Sequence, residues 1–302
     1  MALKIWRSKM ILENDLLYID INPELGGKIV SFYEKQQDFQ LTAQMRETDK
    51  NTKPGLNEDF GRYAYGMDDT YPNIDEETFQ WENRELHYPN HGEIWSKCFE
   101  AERIQYNQIR LYWYSEAFQY DYEKTYTLIE NRLNIQYIIR NNGNSFPDIW
   151  TWHGLLRYEP DMYFVFPKGI KHVRNVLDSP LIGRNGKEYS LYNSSYDFCQ
   201  VPSPDTCSMV KYYGIEKVQE GKCSVVYPTQ KMKCSYYYDE KELPYLGVWI
   251  TAGGLDGAYN CALEPSSGFY DRISIAQKED KLPVLESGQE RRFSFAIELH
   301  KI

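Results

Sequence analysis

The amino-acid sequence predicts an all-β protein, built as a sandwich or a barrel. Apolar and polar residues alternate with a period of two along most of the chain, as in residues 17–22 and 293–299, which is the pattern of strands with one buried face. The predicted strands are short and follow one another at a spacing of about ten residues, which is typical of sandwiches and barrels. Convincing amphipathic helices and a strand–helix–strand rhythm are both missing, which disfavours a doubly wound α/β fold.

Turn-forming residues mark the ends of these strands. The predicted hairpins pair residues 17–22 with 28–32, 104–106 with 109–114, and 125–129 with 133–139. Their turns lie at Pro23–Gly27, Asn107–Gln108 and Glu130–Arg132, and a further turn is predicted at Asn141–Asn144, because Gly, Pro and Asn supply the backbone conformations that tight turns need.

Two polar stretches interrupt the alternation. Residues 33–50 are predicted to hold a short helical or irregular piece, and residues 178–204 a long loop. Neither stretch has the composition of a linker, and the chain has no internal repeat. The whole chain, residues 1–302, is therefore predicted to form a single domain, since all-β domains often reach this length.

Net charge and hydropathy exclude several classes of partner. The formal net charge is -10 and the isoelectric point is about 5.2, so phosphate backbones and anionic lipids are repelled. No run of eighteen apolar residues is present, as a spanning helix would require. The first residues lack a secretory signal pattern. We therefore expect a cytoplasmic protein, monomeric or homodimeric, that binds neither nucleic acid nor membranes.

The six cysteines do not form a recognisable metal or disulfide pattern. They are Cys98, Cys199, Cys207, Cys223, Cys234 and Cys261. None belongs to a Cys-x-x-Cys pair, and no histidine stands at ligand spacing beside them, so neither a zinc site nor a cysteine nucleophile is predicted. The sequence also lacks a P-loop and a dinucleotide fingerprint, and we expect no cofactor and no metal. Free, mostly buried thiols are the expectation.

Three short segments carry the candidate chemistry. His91 precedes Gly92, His153 lies between Trp152 and Gly154, and Glu264 ends an apolar strand before Pro265. Each residue also has a structural interpretation. His91 is then a turn residue, His153 a core histidine packed by tryptophan, and Glu264 a solvated carboxylate at a strand terminus. Taken singly, the segments do not choose between these interpretations.

Taken together, the segments resemble the aldose 1-epimerase, or galactose mutarotase-like, family, in a divergent branch. The matching segments, in chain order, are Leu25-Gly26-Gly27-Lys28-Ile29-Val30-Ser31, Asn90-His91-Gly92-Glu93, Trp152-His153-Gly154, Leu246-Gly247-Val248-Trp249-Ile250, Ala262-Leu263-Glu264-Pro265 and residues 285–293. Each motif is weak, but the ordered set is fairly specific and covers nearly the whole chain. The resemblance implies a large twisted antiparallel β-sandwich, the galactose mutarotase-like supersandwich, with a sugar cleft on one face.

The resemblance also implies roles for individual residues. Glu264 matches the general base that takes the proton from the C1 hydroxyl of a sugar. His153 matches the general acid that protonates the ring oxygen, and His91 matches a second histidine that contacts the sugar. Opening a hemiacetal needs one proton removed and one supplied, and a carboxylate with an imidazole provides both near neutral pH.

One segment departs from the family pattern. Family members carry Gly-Arg-x-x-Asn-Arg, whereas here Gly61-Arg62 is followed by Gly66 at the position of the second arginine. Asp68 and Asp69 come next and resemble a branch in which acidic residues bond sugar hydroxyls; the alternative is an acidic turn before Pro72.

Three further residues complete the predicted sugar-contacting set, namely Arg62, Trp152 and Trp249. For Trp249 the alternative to stacking on a pyranose is core packing. A basic cluster formed by Lys168, Lys171, His172 and Arg174 either holds a sugar phosphate or is a solvated loop.

Three functions remain open from the sequence. The first is an isomerase that interconverts the α and β anomers of a free sugar with Glu264 as base and His153 as acid. The second is a non-catalytic carbohydrate-binding protein on the same fold, which the missing arginine makes credible. The third is another carbohydrate-active enzyme, such as a hydrolase, a lyase or a sugar-phosphate epimerase. A hydrolase needs two carboxylates, and Glu264 has Asp68, Asp69 or Glu93 as possible partners.

Overall fold

The computed structural model describes residues 10–45 and 60–302, except for the side chains of residues 62 and 63. In chain order its strands are β1 Met10–Glu13, β2 Leu17–Asn22, β3 Lys28–Glu34, β4 Phe39–Gln40, β5 Met67–Thr70, β6 Glu77–Trp81, β7 Arg84–Tyr88, β8 Glu100–Gln105, β9 Gln108–Tyr114, β10 Tyr120–Ile129, β11 Arg132–Asn141, β12 Phe146–Pro147, β13 Thr151–Gly154, β14 Leu156–Arg157, β15 Tyr163–Val165, β16 His172–Asn175, β17 Glu188–Ser190, β18 Ser208–Gly214, β19 Lys222–Tyr227, β20 Met232–Tyr238, β21 Tyr245–Ala252, β22 Tyr259–Ser266, β23 Val284–Leu285 and β24 Glu290–Lys301. Helical segments are short: α1 spans Ile273–Lys278, and single 3-10 turns span Pro23–Leu25, Phe60–Tyr63, Ile94–Ser96 and Pro204–Thr206. In the described ranges, no helix is long and apolar enough to cross a membrane.

Two large antiparallel sheets dominate the structure. The first has the order β1-β2-β3-β5-β13-β22-β21-β18-β16-β17, with β4 beside β3 and β14 beside β22. The second has the order β15-β19-β20-β24-β11-β10-β9-β8. The pairs β12–β23 and β6–β7 form small separate sheets. The predicted all-β antiparallel architecture is therefore confirmed.

The two large sheets pack face to face. Trp152 on β13 stacks on Phe295 on β24, with ring centroids 4.6 Å apart, and one core cluster contains buried residues from both sheets. Side chains alternate across each strand, so every second residue of the first sheet points into this core and the others point outward. The outward face is where a site can form, because the inward face is filled by close-packed side chains.

The predicted hairpins are confirmed, with small shifts in their boundaries. Strands β2 and β3 pair with a bulge between Asp20 and Ile21, and β10 and β11 pair along their whole length with a turn at Glu130 and Asn131. The polar stretches were predicted less well. Residues 33–45 contain the end of β3, the short strand β4 and irregular connections, so the irregular alternative describes this part better than the helical one. Residues 46–50 lie outside the described ranges. The stretch 178–204 contains strand β17.

Candidate functional site

A cavity of about 550 Å³ lies on the outward face of the first sheet. Its floor is formed by residues of four strands, His153 on β13, Lys211 on β18, Trp249 on β21, and Glu264 on β22. Loop residues line the rest, namely Ala43, Gln44, Met45, Phe60, Gly61, Ala64, Tyr65, Ile74, Asp75, Asn90, His91, Leu155, Val176, Leu177, Leu255, Gly257, Ala258 and Asp271 together with Tyr259 and Asn260 of β22. The cavity thus brings together His91, His153 and Glu264, which are far apart in sequence.

Glu264 and His153 face each other in this cavity. The His153 Nε2 atom is 3.9 Å from Glu264 Oε1. Glu264 lies within β22 instead of at its end, because the strand continues through Pro265 to Ser266; a proline is tolerated in a strand where no ladder hydrogen bond needs its N–H. Its carboxylate is only 1% exposed, and burial raises its pKa. The solvated Glu at a strand terminus is therefore excluded.

Asp68 holds the other side of the His153 ring. Strands β5 and β13 pair Asp68 with His153, and Asp68 Oδ1 is 3.2 Å from His153 Nδ1. Burial alone would raise the pKa of Asp68, but the Lys28 ammonium at 2.6 Å and the contact with His153 outweigh it and lower that pKa to about 2. The ionised carboxylate of Asp68 accepts a hydrogen bond from the Nδ1–H group of His153. The other ring nitrogen, Nε2, is directed toward Glu264.

Lys211 and Asp271 form an ion pair next to Glu264. The Lys211 ammonium is 2.9 Å from Asp271 Oδ2 and 3.8 Å from Glu264 Oε2. Tyr213 donates its hydroxyl proton to Asp271 Oδ1 at 2.7 Å. Burial would lower the pKa of Lys211, but Asp271 and Glu264 outweigh it and raise that pKa, so Lys211 is a cation throughout the neutral range.

His91 forms a neutral aromatic wall of the cavity. Its ring stacks on Phe60, with centroids 3.7 Å apart, and meets the His153 ring edge to face at 5.7 Å. Burial, followed by the positive charges of His153 and Lys211, holds the pKa of His91 well below its usual range. The Nδ1 atom lies 2.8 Å from Asn90 Oδ1. A neutral imidazole in this position can exchange hydrogen bonds with a polar ligand.

Trp249 offers a flat apolar surface to the cavity. Its side chain is partly exposed, and its indole N–H donates to Asn260 Oδ1 at 3.0 Å, which fixes the ring orientation. Flat rings with a fixed orientation suit the apolar faces of sugars. The ring also packs against the buried cluster of Ala43, Leu155 and Ala262, so part of its surface serves core packing and the rest faces the cavity.

Asp69 and Trp152 do not line the cavity, which corrects the expectation that both contact a ligand. Both follow the period of two and point inward, on the opposite face from Asp68 and His153. Asp69 is 2.7 Å from the Lys124 ammonium and accepts the hydroxyl proton of Tyr122. Trp152 is 1% exposed and packs on Phe295.

Asp68 does not line the cavity either, since its carboxylate is taken up by His153 and Lys28. The expected contact of Asp68 with sugar hydroxyls is thereby corrected to a contact with the imidazole. The Arg62 side chain lies outside the described part of the structure, and its predicted role stays a prediction. Glu93 accepts hydrogen bonds from Ser115 and Tyr120 and is not a cavity residue.

The basic cluster lies away from the cavity. Lys168 pairs with Glu220, His172 with Glu216, and Arg174 with Glu188 and Glu279. None of these basic side chains lines the cavity. Carboxylates already pair with three of the four members, which favours a surface charge network over a phosphate site.

Sequence reasoning missed Lys211, Asp271 and the role of Lys28. Lys28 belongs to the Leu25–Ser31 motif and could have been noticed as a lysine at the start of an apolar strand. Lys211 carries the same signal between Val210 and Tyr212, although most such lysines reach solvent. Asp271 follows β22 in an irregular segment and has no sequence signal.

Comparisons with known proteins show which sequence family and which solved structures this chain resembles. The sequence model of a family described as a domain of unknown function (DUF4432) matches residues 181–299. A search among curated proteins finds no match.

Solved structures similar to the whole chain include the Slr1438 protein from Synechocystis sp. PCC 6803, with a TM-score of 0.75, 16% identity, and coverage of 100% of this chain and 99% of that chain. A galactose mutarotase-like protein from Lactobacillus casei has a TM-score of 0.74, 16% identity, and coverage of 97% and 100%. A galactose mutarotase related enzyme from Lactobacillus acidophilus has a TM-score of 0.72, 16% identity, and coverage of 97% and 98%. At this identity the likeness establishes the fold. The chain therefore has the galactose mutarotase-like fold, the antiparallel supersandwich that the ordered motifs predicted.

Proposed function

We propose that the protein is a sugar isomerase of the aldose 1-epimerase type, which interconverts the α and β anomers of a free aldose. The observation that carries this proposal is the pair formed by His153 Nε2 and Glu264 Oε1, 3.9 Å apart in a cavity. A donor and an acceptor at this separation can each reach one of two neighbouring oxygens on a single carbon. The fold and the ordered motifs support the same proposal, by analogy alone.

In the proposed reaction, two protons move and no covalent bond to the protein forms. Glu264 takes the proton of the C1 hydroxyl while His153 gives a proton to the ring oxygen, and the bond between C1 and the ring oxygen breaks. The open aldehyde rotates about its C1–C2 bond. It then closes through its other face, with Glu264 returning its proton and His153 recovering its own, so that both groups end in their starting states.

The neighbouring residues prepare this pair for the proposed chemistry. Asp68 orients the His153 ring through Nδ1, which leaves Nε2 as the proton donor. His91, held neutral, and Trp249 offer hydrogen-bonding and stacking surfaces on the cavity wall. Neither His91 nor Trp249 moves a proton in this scheme, so both bind and orient the sugar.

The direct test is anomer exchange. Purified protein is added to freshly dissolved α-anomers of a panel of hexoses and pentoses, and relaxation to the equilibrium mixture is followed by polarimetry. We expect faster relaxation for at least one sugar than in buffer, where the reaction is slow. No acceleration for any sugar in the panel rejects the isomerase proposal.

A non-catalytic carbohydrate-binding protein is the second candidate, and the segment around Gly66 favours it. Gly66 replaces the family arginine and adopts φ +69°, and a Cβ there would lie 2.6 Å from the Ile29 carbonyl oxygen. An arginine therefore does not fit this backbone, and the contact it makes in the family is lost. Thermal stabilisation by a sugar without anomer exchange would support this candidate.

Asp68→Asn tests the orienting role of Asp68. We expect kcat for anomer exchange to fall between about 10- and 1,000-fold, because general acid catalysis itself contributes about 10²- to 10⁴-fold and a misoriented ring loses much of it. The KM for the sugar should change little, since Asp68 does not line the cavity. Exchange kinetics over a range of sugar concentrations separate the two parameters. An unchanged kcat, or a rise confined to KM, would contradict the assignment.

A further inference from the structure

Lys211 is a largely buried cation that has no part in the proton transfers described above. It lies on β18, which pairs with β21, and β21 pairs with β22. Its side chain is 12% exposed and reaches the same outward face as Glu264. Burying an ammonium is costly unless it is paired, so this position indicates a use for a fixed positive charge.

We propose that Lys211 is a positioning residue that keeps the Glu264 carboxylate ionised, and that Asp271 limits how strongly it does so. This inference rests on the proposed function, because it concerns the base of that reaction. It adds a residue that neither the sequence motifs nor the reaction scheme requires.

The surroundings of Glu264 explain why a cation is needed. Burial opposes its charged form, and within the described residues neither carboxylate oxygen has a hydrogen-bond partner. Strand β21 contributes only Gly247 opposite Glu264, where a Cβ would lie 3.1 Å from Glu264 Oε2. Ionisation of Glu264 therefore depends on nearby charges more than on hydrogen bonds.

Two basic side chains approach Glu264. His153 lies at 3.9 Å from β13, and Lys211 at 3.8 Å from β18. His153 gives up its proton in the proposed reaction, so its charge changes during turnover. Lys211 keeps its charge, and the separation of 3.8 Å is an ion pair and not a hydrogen bond. Its charge thus favours an ionised Glu264 without competing for the sugar proton.

Asp271 acts in the opposite direction. It binds the Lys211 ammonium at 2.9 Å and is itself held by Tyr213, and its negative charge raises the pKa of Glu264. The cavity is also lined by His91, which is neutral, and by Asp75, which pairs with Arg272 at 3.0 Å. The balance between Lys211 and Asp271 therefore sets the charge state of Glu264.

Three single variants test this balance through the pH profile of kcat/KM for anomer exchange. Lys211→Met should move the acidic limb of the profile to higher pH, so that the loss of kcat/KM grows as the pH falls through that limb and approaches about tenfold below it for each pH unit of displacement. Asp271→Asn should move the limb to lower pH. Lys211→Arg should leave the acidic limb at the same pH as in the unmodified protein. If Lys211→Met and Lys211→Arg both lose kcat/KM by the same factor at every pH, the role of Lys211 is merely structural and the proposal is overturned.

A second readout needs no turnover. The side-chain carboxyl carbon of Glu264, assigned by comparison with Glu264→Gln, is titrated by ¹³C NMR in the sugar-free protein. We expect Glu264 to titrate at higher pH in Lys211→Met than in the unmodified protein; the same midpoint in both would overturn the inference. If this shift is found in a protein that exchanges no sugar, the isomerase proposal fails while the electrostatic role of Lys211 stands.

A double variant covers the case in which Lys211→Met does not fold. Lys211→Met/Asp271→Asn removes both charges of the ion pair and leaves neither one unpaired. Compared with Asp271→Asn alone, the double variant should titrate Glu264 at higher pH, because only Lys211 differs between them. Equal midpoints in these two proteins would again overturn the inference.

Discussion

Glu264→Gln should lose about 10²- to 10⁴-fold in kcat for anomer exchange, because this is the contribution of a general base and a glutamine of nearly the same shape cannot accept the C1 proton. The protein should still bind sugar, with a dissociation constant close to that of the unmodified protein. Polarimetric relaxation gives the rate, and sugar-dependent thermal stabilisation gives the binding.

The fold should tolerate this change. Lys211 keeps Asp271 as its partner at 2.9 Å when Glu264 loses its charge, so no unpaired cation is created. A neutral amide is also cheaper to bury than a carboxylate. We therefore expect the melting temperature of Glu264→Gln to equal or exceed that of the unmodified protein, as is common when a buried catalytic charge is removed.

Glu93→Gln is the matched control. Glu93 is a partly buried glutamate that accepts hydrogen bonds from Ser115 and Tyr120 outside the cavity. Its variant should retain exchange activity within about twofold, since Glu93 does not line the cavity and the glutamine oxygen can still accept the hydrogen bonds of Ser115 and Tyr120. A similar loss of activity in both variants, or full activity in Glu264→Gln, would remove Glu264 from the role of base.

The alternation of residue types predicted the strands well but could not assign their faces. The hairpin of β10 and β11 follows directly from a period of two and a polar turn. Asp68 and Asp69 show the limit of this reasoning. Adjacent strand residues must point to opposite sides, so at most one of the two could reach a ligand, and the sequence does not say which side faces the second sheet.

The sequence also could not predict which strands, distant along the chain, are neighbours in a sheet. Lys211 lies beside Glu264 because β18, β21 and β22 are neighbours in the first sheet, and no local pattern encodes that order. His91, His153 and Glu264 were found because their ordered motifs resemble a known family. Asp271 and Lys211 belong to none of those motifs, so only the folded structure places them in the site.

Asp69→Asn should cost about 3–5 kcal/mol of folding stability, the usual effect of leaving one member of a buried ion pair without its partner. The Lys124 ammonium is 0% exposed, and it is 2.7 Å from Asp69 Oδ1. The Tyr122 hydroxyl donates a hydrogen bond to Asp69 and accepts one from the Trp150 indole at 2.7 Å. The substitution therefore also disturbs hydrogen bonds between core residues. Urea unfolding of the variant and of the unmodified protein measures the difference.

Two control variants test whether Asp69 stabilises the fold as a buried charge or contacts the ligand. Asp69→Asn/Lys124→Met removes both charges and should recover much of the loss, because no unpaired cation is left in the core. Glu102→Gln, which breaks the exposed pair with Arg110, should leave the unfolding midpoint nearly unchanged. Sugar binding by folded Asp69→Asn should be unaltered, since Asp69 faces away from the cavity. An Asp69→Asn protein that keeps its stability but loses sugar binding would contradict the inward placement of Asp69 and restore it to the site.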